Sequence, residues 1–277
     1  MGGETGDRPS SVKNLVMVAI PLLAVLIVAE VALHGQRFLD NSSSRGLSGF
    51  DPLTLGFVSF LVLGILFYEL KRHGERAARF LMAGITTSGT LAGLILLQAW
   101  FTATNTGFAV FYLLAPPIAY VGLYFSFRDY AGSLSRRKAG FLRAISATLL
   151  GAVLGAFLPV LFTIPFLVLL SILDPLFIES KMLRQSIGVG AFDNLVTVTT
   201  LPLAGIDIGI GDLMAYSILA TASIIHAGIL VALVTTVLIL TGVLLTFRIT
   251  STRHVVPGLP IPLWLGLVPN IVAVLIQ

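Results

Sequence analysis

The chain has 277 residues, of which 56% are hydrophobic and 11% charged, and its mean hydropathy is +0.99. This composition excludes an ordinary soluble globular protein and predicts an integral membrane protein. The formal net charge of +4 does not indicate nucleic-acid binding, because basic residues beside apolar helices are typical of cytoplasmic loops. The absence of cysteine excludes disulfides, thiol nucleophiles and thiolate metal sites.

Nine segments are long and apolar enough to predict membrane-spanning helices, each of which needs roughly 20 residues. They lie at about 15–34, 52–70, 79–101, 107–127, 141–159, 160–178, 208–226, 228–247 and 259–276. Residues 141–178 contain no polar loop, but as one helix they would reach about 57 Å, nearly twice the ~30 Å hydrocarbon core. We therefore predict a break at Leu158-Pro159, and further breaks at 102–107 and 226–228.

The basic residues predict how these helices are oriented. With the N-terminus in the cytoplasm, every Lys and Arg except Arg37 and Arg45 falls on the cytoplasmic side, as the positive-inside rule requires. Nine helices then place the C-terminus outside. The predicted fold is therefore all-α, with nine transmembrane helices, a cytoplasmic N-terminus and an external C-terminus.

Two acidic residues lie inside the sixth and seventh predicted helices. Asp174 is near the end of the sixth and Asp212 is near the start of the seventh, so both lie close to the cytoplasmic surface. An ionisable side chain within a membrane is costly and indicates a function. No Lys or Arg lies within the sixth to ninth predicted helices, so an ion pair does not explain these acids. Glu30, in the first helix, can reach water at the outer surface and is interpreted as structural.

A pair of nearby carboxyls suits peptide hydrolysis. One carboxylate can take a proton from water while one carboxylic acid protonates the scissile carbonyl oxygen. Because two such groups resist joint ionisation, they titrate in two separate steps. Asp174 and Asp212 are the candidate catalytic residues, and we expect a bell-shaped dependence of rate on pH, which a pH-independent rate would contradict. Asp207 is the rival for the second position.

Two motifs lie on the same side of the membrane as the acids. They are Gly209-Ile210-Gly211-Asp212 and, at the start of the ninth helix, Pro257-Gly258-Leu259-Pro260. The glycines of the first motif let a neighbouring backbone approach the acid. Pro175 directly follows Asp174, so we predict that the sixth helix is kinked or ends there. Both motifs are predicted to position the substrate.

Together these features resemble the presenilin and signal peptide peptidase family of intramembrane aspartyl proteases. The match covers nine helices, an acid ending the sixth, Gly-x-Gly-Asp in the seventh and prolines opening the ninth. The orientation is similar to that of presenilins, whereas signal peptide peptidases are inverted. The chain departs from the family pattern at Leu173, where Tyr is usual, and at Gly258, where Ala is usual.

The resemblance implies an archaeal or other prokaryotic presenilin homologue, a multi-pass protein of the cell membrane. It would hydrolyse peptide bonds within the transmembrane segments of substrate proteins or peptides, without a metal or other cofactor. Residues 1–277 would form one membrane domain, in which 1–159 are the scaffold and 160–277 the catalytic part. A cytoplasmic loop would occupy about 179–207, and a homo-oligomer is left open.

A helical substrate must unwind before it can be cut, and its freed backbone groups then need partners. A run rich in β-branched residues precedes the glycine motif and alternates in polarity, which predicts a strand. Its residues are Leu195, Val196, Thr197, Val198, Thr199 and Thr200. We hypothesise that the unwound substrate adds to this strand. An ordinary cytoplasmic linker is an equal alternative, and in that case Val198→Pro would leave activity intact.

Two other functions remain open from the sequence. A prepilin-type peptidase also carries Gly-x-Gly-Asp and two membrane aspartates, but it lacks the proline motif on a final helix. A proton-coupled transporter or channel would use buried acids to relay ions. Inverted repeats typical of transporters are not visible in the sequence. A scaffold without chemistry would give the two acids no purpose.

Overall fold

The computed structural model describes residues 72–103, 108–179, 199–203, 206–250 and 258–276, together with positions 19, 68–69 and 196. These residues form seven α-helices and one antiparallel pair of strands. The helices are α1 (Glu75–Ala103), α2 (Phe108–Tyr130), α3 (Arg136–Phe157), α4 (Val160–Glu179), α5 (Ile210–Ala227), α6 (Ile229–Thr250) and α7 (Pro260–Ile276). The strands are β1 (Thr200–Leu203) and β2 (Ile206–Gly209).

The seven helices correspond to the third to ninth predicted helices. The chain is mostly helical where it is described, and five of its helices, α1, α2, α3, α5 and α6, are long and apolar enough to cross a membrane. Shorter apolar stretches lie at Phe162–Pro175 and Pro260–Ile276. Of the first two predicted helices, 15–34 and 52–70, the structure describes only positions 19 and 68–69, and Glu30 lies outside the described residues, so the count of nine stays a prediction.

All three predicted helix breaks are confirmed. Helices α1 and α2 are separate, α3 ends one residue before Leu158-Pro159, and α5 ends one residue before Gly228. Gly228 has a φ of +87°, and its N–H donates to the Ile224 carbonyl. This left-handed conformation, which glycine adopts without strain, ends α5 and lets α6 turn back.

Small residues let α3 approach α5, the most buried of the five candidate spans. A Cβ at Gly151 would lie 2.9 Å from the Ser217 Cβ, and one at Gly155 would lie 3.0 Å from the Thr221 Cβ. The Ser217 hydroxyl also donates a hydrogen bond to the Thr148 carbonyl of α3. Because lipid is as apolar as the helices, close packing of small residues stabilises helix pairs in a membrane. Gly151 and Gly155, four residues apart, therefore form a packing face of α3.

The two strands form a hairpin directly before α5. Leu201 of β1 lies opposite Ile208 of β2, and both side chains are buried in the main core. The hairpin also packs on α3, because a Cβ at Gly140 would lie 2.8 Å from Pro202 Cδ. This packing anchors the chain that leads into the glycine motif. Helix α5 therefore begins at Ile210, two residues later than predicted.

The strand predicted at 195–200 lies further along the chain than expected. Val196 and Thr199 have helical backbone, so the prediction is wrong at these two positions, and β1 begins at Thr200. The Thr199 hydroxyl donates to the Val196 carbonyl at 3.5 Å. Threonine makes this local bond in helical turns, and the alternating pattern does not reveal it. Leu195, Thr197 and Val198 lie outside the described residues.

Helix α4 does not end beside its aspartate, contrary to one of the two predicted outcomes. It runs through Pro165 and Pro175 to Glu179. Pro175 lacks the N–H that would bond the Ser171 carbonyl, but the helix continues past this missing bond. Asp174 therefore lies inside α4. It is four residues before Ile178, where the sequence predicts that the sixth helix ends.

A buried ion pair joins the end of α2 to the start of α3. Arg143 Nε donates to Asp129 Oδ2 at 2.7 Å, and an Arg143 terminal nitrogen donates to Asp129 Oδ1 at 2.6 Å. The Asp129 side chain is 2% exposed and that of Arg143 is 9% exposed. Such a two-point contact fixes both orientation and distance between the two helices.

We expect Asp129→Asn to lower the free energy of unfolding by about 3 kcal/mol, because it removes the carboxylate that compensates the buried Arg143 charge. Urea unfolding of the purified protein in mixed micelles measures this change. Arg137→Gln, at an exposed position of the same helix, is the control and should change stability by less than about 0.5 kcal/mol. Equal stability of Asp129→Asn and the control would contradict a stabilising role for the pair.

Candidate active site

Asp174 of α4 is held by the chain at the start of α7. The Leu259 backbone N–H donates a hydrogen bond to Asp174 Oδ2 at 3.2 Å. The Leu259 side chain is buried in the core that also contains Leu167 of α4 and Leu213 of α5. This packing fixes the peptide that faces Asp174, so the carboxyl is oriented by backbone rather than by a mobile side chain.

Asp212 lies in the first turn of α5, between two glycines. A Cβ on Gly209 would lie 3.0 Å from Asp212 Oδ2 and 3.0 Å from Asp212 Cγ. On the other side, a Cβ on Gly258 would collide with the same oxygen and lie 3.2 Å from Asp212 Cγ. The carboxyl therefore occupies a narrow space that the glycines leave free.

The Gly258-Leu259 segment brings the two acids together. Gly258 lies against Asp212, and the next residue donates its N–H to Asp174, so both carboxyls face one short stretch of backbone. Both residues are only partly buried. The sequence motifs predicted that these three distant segments would meet. Two carboxyls that face the same segment resist joint ionisation when they lie close together.

Tyr216 belongs to the site and was not predicted from the sequence. Its hydroxyl donates a hydrogen bond to the Gly258 carbonyl at 2.9 Å, and its side chain is 2% exposed. The bond ties α5 to the segment that contacts both acids. Residues four apart share one face of a helix, so the spacing of Tyr216 from Asp212 is the signal that could have revealed it.

The remaining predicted site residues occupy different places. Ile210 is buried at the first position of α5, whereas Gly211 is exposed, with no neighbouring atom within 4 Å of its Cβ position. Pro260 is the first residue of α7, and Pro257 lies outside the described ranges. Asp207, the rival acid, is in β2. Its backbone therefore belongs to the hairpin and not to the helix that carries the second catalytic candidate.

Two comparisons with known proteins identified no relative. No protein-family model matches the chain, and no curated protein matches it. The function must therefore be inferred from the motifs and from the geometry of the site.

Proposed function

We propose that this protein is an intramembrane aspartyl protease in which Asp174 and Asp212 activate water to hydrolyse peptide bonds within transmembrane segments. The observation that carries the proposal is the contact of Gly258 and Leu259 with both carboxyls. An acid kept for architecture alone would be destabilised by a second acid beside it, because like charges repel. A shared proton removes that repulsion and supplies both halves of acid–base catalysis.

The proposed reaction uses the pair in two steps. In the first, one carboxylate removes a proton from water, the water oxygen bonds to the scissile carbonyl carbon, and the other carboxylic acid protonates the carbonyl oxygen. In the second, the carbon–nitrogen bond breaks, the leaving nitrogen takes a proton from the pair, and a hydroxyl of the intermediate returns one. The Leu259 amide holds the Asp174 carboxyl in place throughout.

The wider architecture is proposed to be presenilin-like. It would have nine transmembrane helices, a cytoplasmic N-terminus and an external C-terminus in the cell membrane of an archaeon or other prokaryote. The five candidate spans support this proposal, as does the charge asymmetry between alternate loops. The position of the final helix distinguishes it from a prepilin-type peptidase, because the segment that opens α7 lies against both acids.

We further infer that the unwound substrate pairs with the hairpin. Within the described residues β1 and β2 pair only with each other, so each strand has one edge without a strand partner there. Leu201 and Ile208 anchor the hairpin in the core, and β2 runs directly into the Gly-x-Gly-Asp motif. A substrate strand at this edge would satisfy its backbone groups beside Asp212.

The proposal is tested by incubating the purified protein in lipid micelles with a panel of single-span membrane proteins. We expect product fragments whose ends map, by mass spectrometry, to bonds inside the spanning segment. The rate should rise and then fall across the pH range. Cleavage confined to soluble tails of the substrates would contradict intramembrane proteolysis.

A further inference from the structure

Two buried hydroxyls in the described part of the chain have no hydrogen-bond partner, Thr200 Oγ1 and Thr221 Oγ1. Other buried threonines satisfy their hydroxyls locally; Thr86 and Thr236, for example, each donate to the carbonyl four residues earlier. A buried hydroxyl without a partner destabilises the fold. Each of these two hydroxyls therefore needs an explanation. The surroundings of Thr200 and Thr221 indicate which of them has a function.

The strand register places Thr200 on the same face of the hairpin as the Cβ position of Gly209, which lies next to Asp212. Thr200 is directly opposite Gly209 in the strand register, and opposite residues of an antiparallel pair project from the same face, with Cβ atoms about 5 Å apart. A Cβ on Gly209 would lie 3.0 Å from Asp212 Cγ. Thr200 is thus the cross-strand neighbour of the position that lies next to the acid.

We propose that Thr200 is a positioning residue for Asp212, an inference that rests on the proposed protease function. When the substrate is bound, the Thr200 hydroxyl donates a hydrogen bond to the Asp212 carboxyl and holds it oriented toward Asp174. The Asp212 carboxyl can accept this bond, because a carboxylate has about four acceptor positions. Hydrogen bonds in active sites are often incomplete without substrate and form in the substrate complex.

The test removes the Thr200 hydroxyl and keeps the size and shape of the side chain. Thr200→Val removes the donor, Thr200→Ser retains it, and Thr221→Val makes the same exchange at the other unpartnered hydroxyl. Thr221 lies nine residues after Asp212, about 13 Å further along α5. Because each valine replaces a hydroxyl without a partner, neither valine variant should unfold at a lower temperature than the wild type.

We expect Thr200→Val to lower kcat at least about 10-fold, as loss of a hydrogen bond to a charged group would, with KM within about twofold of the wild type. Thr200→Ser should retain most of the activity, and Thr221→Val should match the wild type. Equal activity of Thr200→Val and Thr221→Val would overturn the inference while leaving the protease proposal intact. Equal losses in Thr200→Val and Thr200→Ser would also overturn it, because the methyl group would then be what matters.

The same assay separates this inference from the proposed function. Asp212→Asn is included in every series. If the wild type cleaves a membrane substrate and Asp212→Asn does not, the Thr200 variants decide the positioning role alone. If cleavage does not depend on Asp212, the protease proposal fails, and the role of Thr200 fails with it.

Discussion

Asp174→Asn and Asp212→Asn are each expected to reduce cleavage of a transmembrane substrate by on the order of 10⁴-fold, or to background. Each exchange removes the proton-transfer group at nearly constant size. The two acids act as one unit, so the double variant should be no slower than either single variant. Single-turnover rates of the purified proteins in lipid micelles measure the effect.

Asp207→Asn is the matched comparison, because Asp207 is the rival acid and lies only five residues before Asp212. We expect cleavage to be lost in Asp212→Asn and retained in Asp207→Asn. If Asp207→Asn abolishes cleavage and Asp212→Asn does not, the second catalytic acid has been assigned to the wrong residue. Thermal unfolding of each variant shows whether a loss of activity reflects a loss of the fold.

Gly258→Ala is expected to lower kcat by about 100-fold, the effect that a catalytic group misplaced by about 1 Å can produce. A methyl group at this position would collide with Asp212 Oδ2. The alanine that is usual in the resembled family therefore does not fit this chain without moving Asp212.

The control for this variant is Gly84→Ala on α1, where no neighbouring atom lies within 4 Å of the Cβ position. Both exchanges add one methyl group, so they differ only in what that group meets. We expect the control to keep full activity and both variants to unfold at similar temperatures. Full activity in Gly258→Ala would show that Asp212 is not confined between the two glycines.

The helices and the two acids could be predicted from the sequence, because both depend on local rules. The thickness of the hydrocarbon core demands a break near Leu158-Pro159, and small residues four apart predict the packing face that Gly151 and Gly155 provide. Acids within apolar helices also stand out in the sequence, because placing an ionisable group in a membrane costs a large free energy. The motif at Gly258 indicated a contact with the acids because the predicted orientation places both in one leaflet.

The hairpin and the buried ion pair could not be predicted, because both depend on which distant groups meet. Six residues before the glycine motif alternate as a strand does, yet the pairing that forms is between Thr200–Leu203 and Ile206–Gly209. The positive-inside rule assigns Arg143 to the cytoplasmic side and says nothing of a partner. Nothing in the local sequence shows that Asp129, across the α2–α3 turn, bonds to it. Strand register and ion pairing are set by tertiary contacts, which composition and spacing do not contain.

The most direct test of the proposed function uses membranes that contain both the protein and a single-span substrate. The masses of the substrate fragments are measured after reconstitution of the wild type or of Asp212→Asn into liposomes. We expect fragments that end within the spanning segment, formed by the wild type only. Intact substrate in both samples, together with a proton flux across the liposome membrane that requires Asp212, would contradict the protease function and favour a proton-coupled transporter.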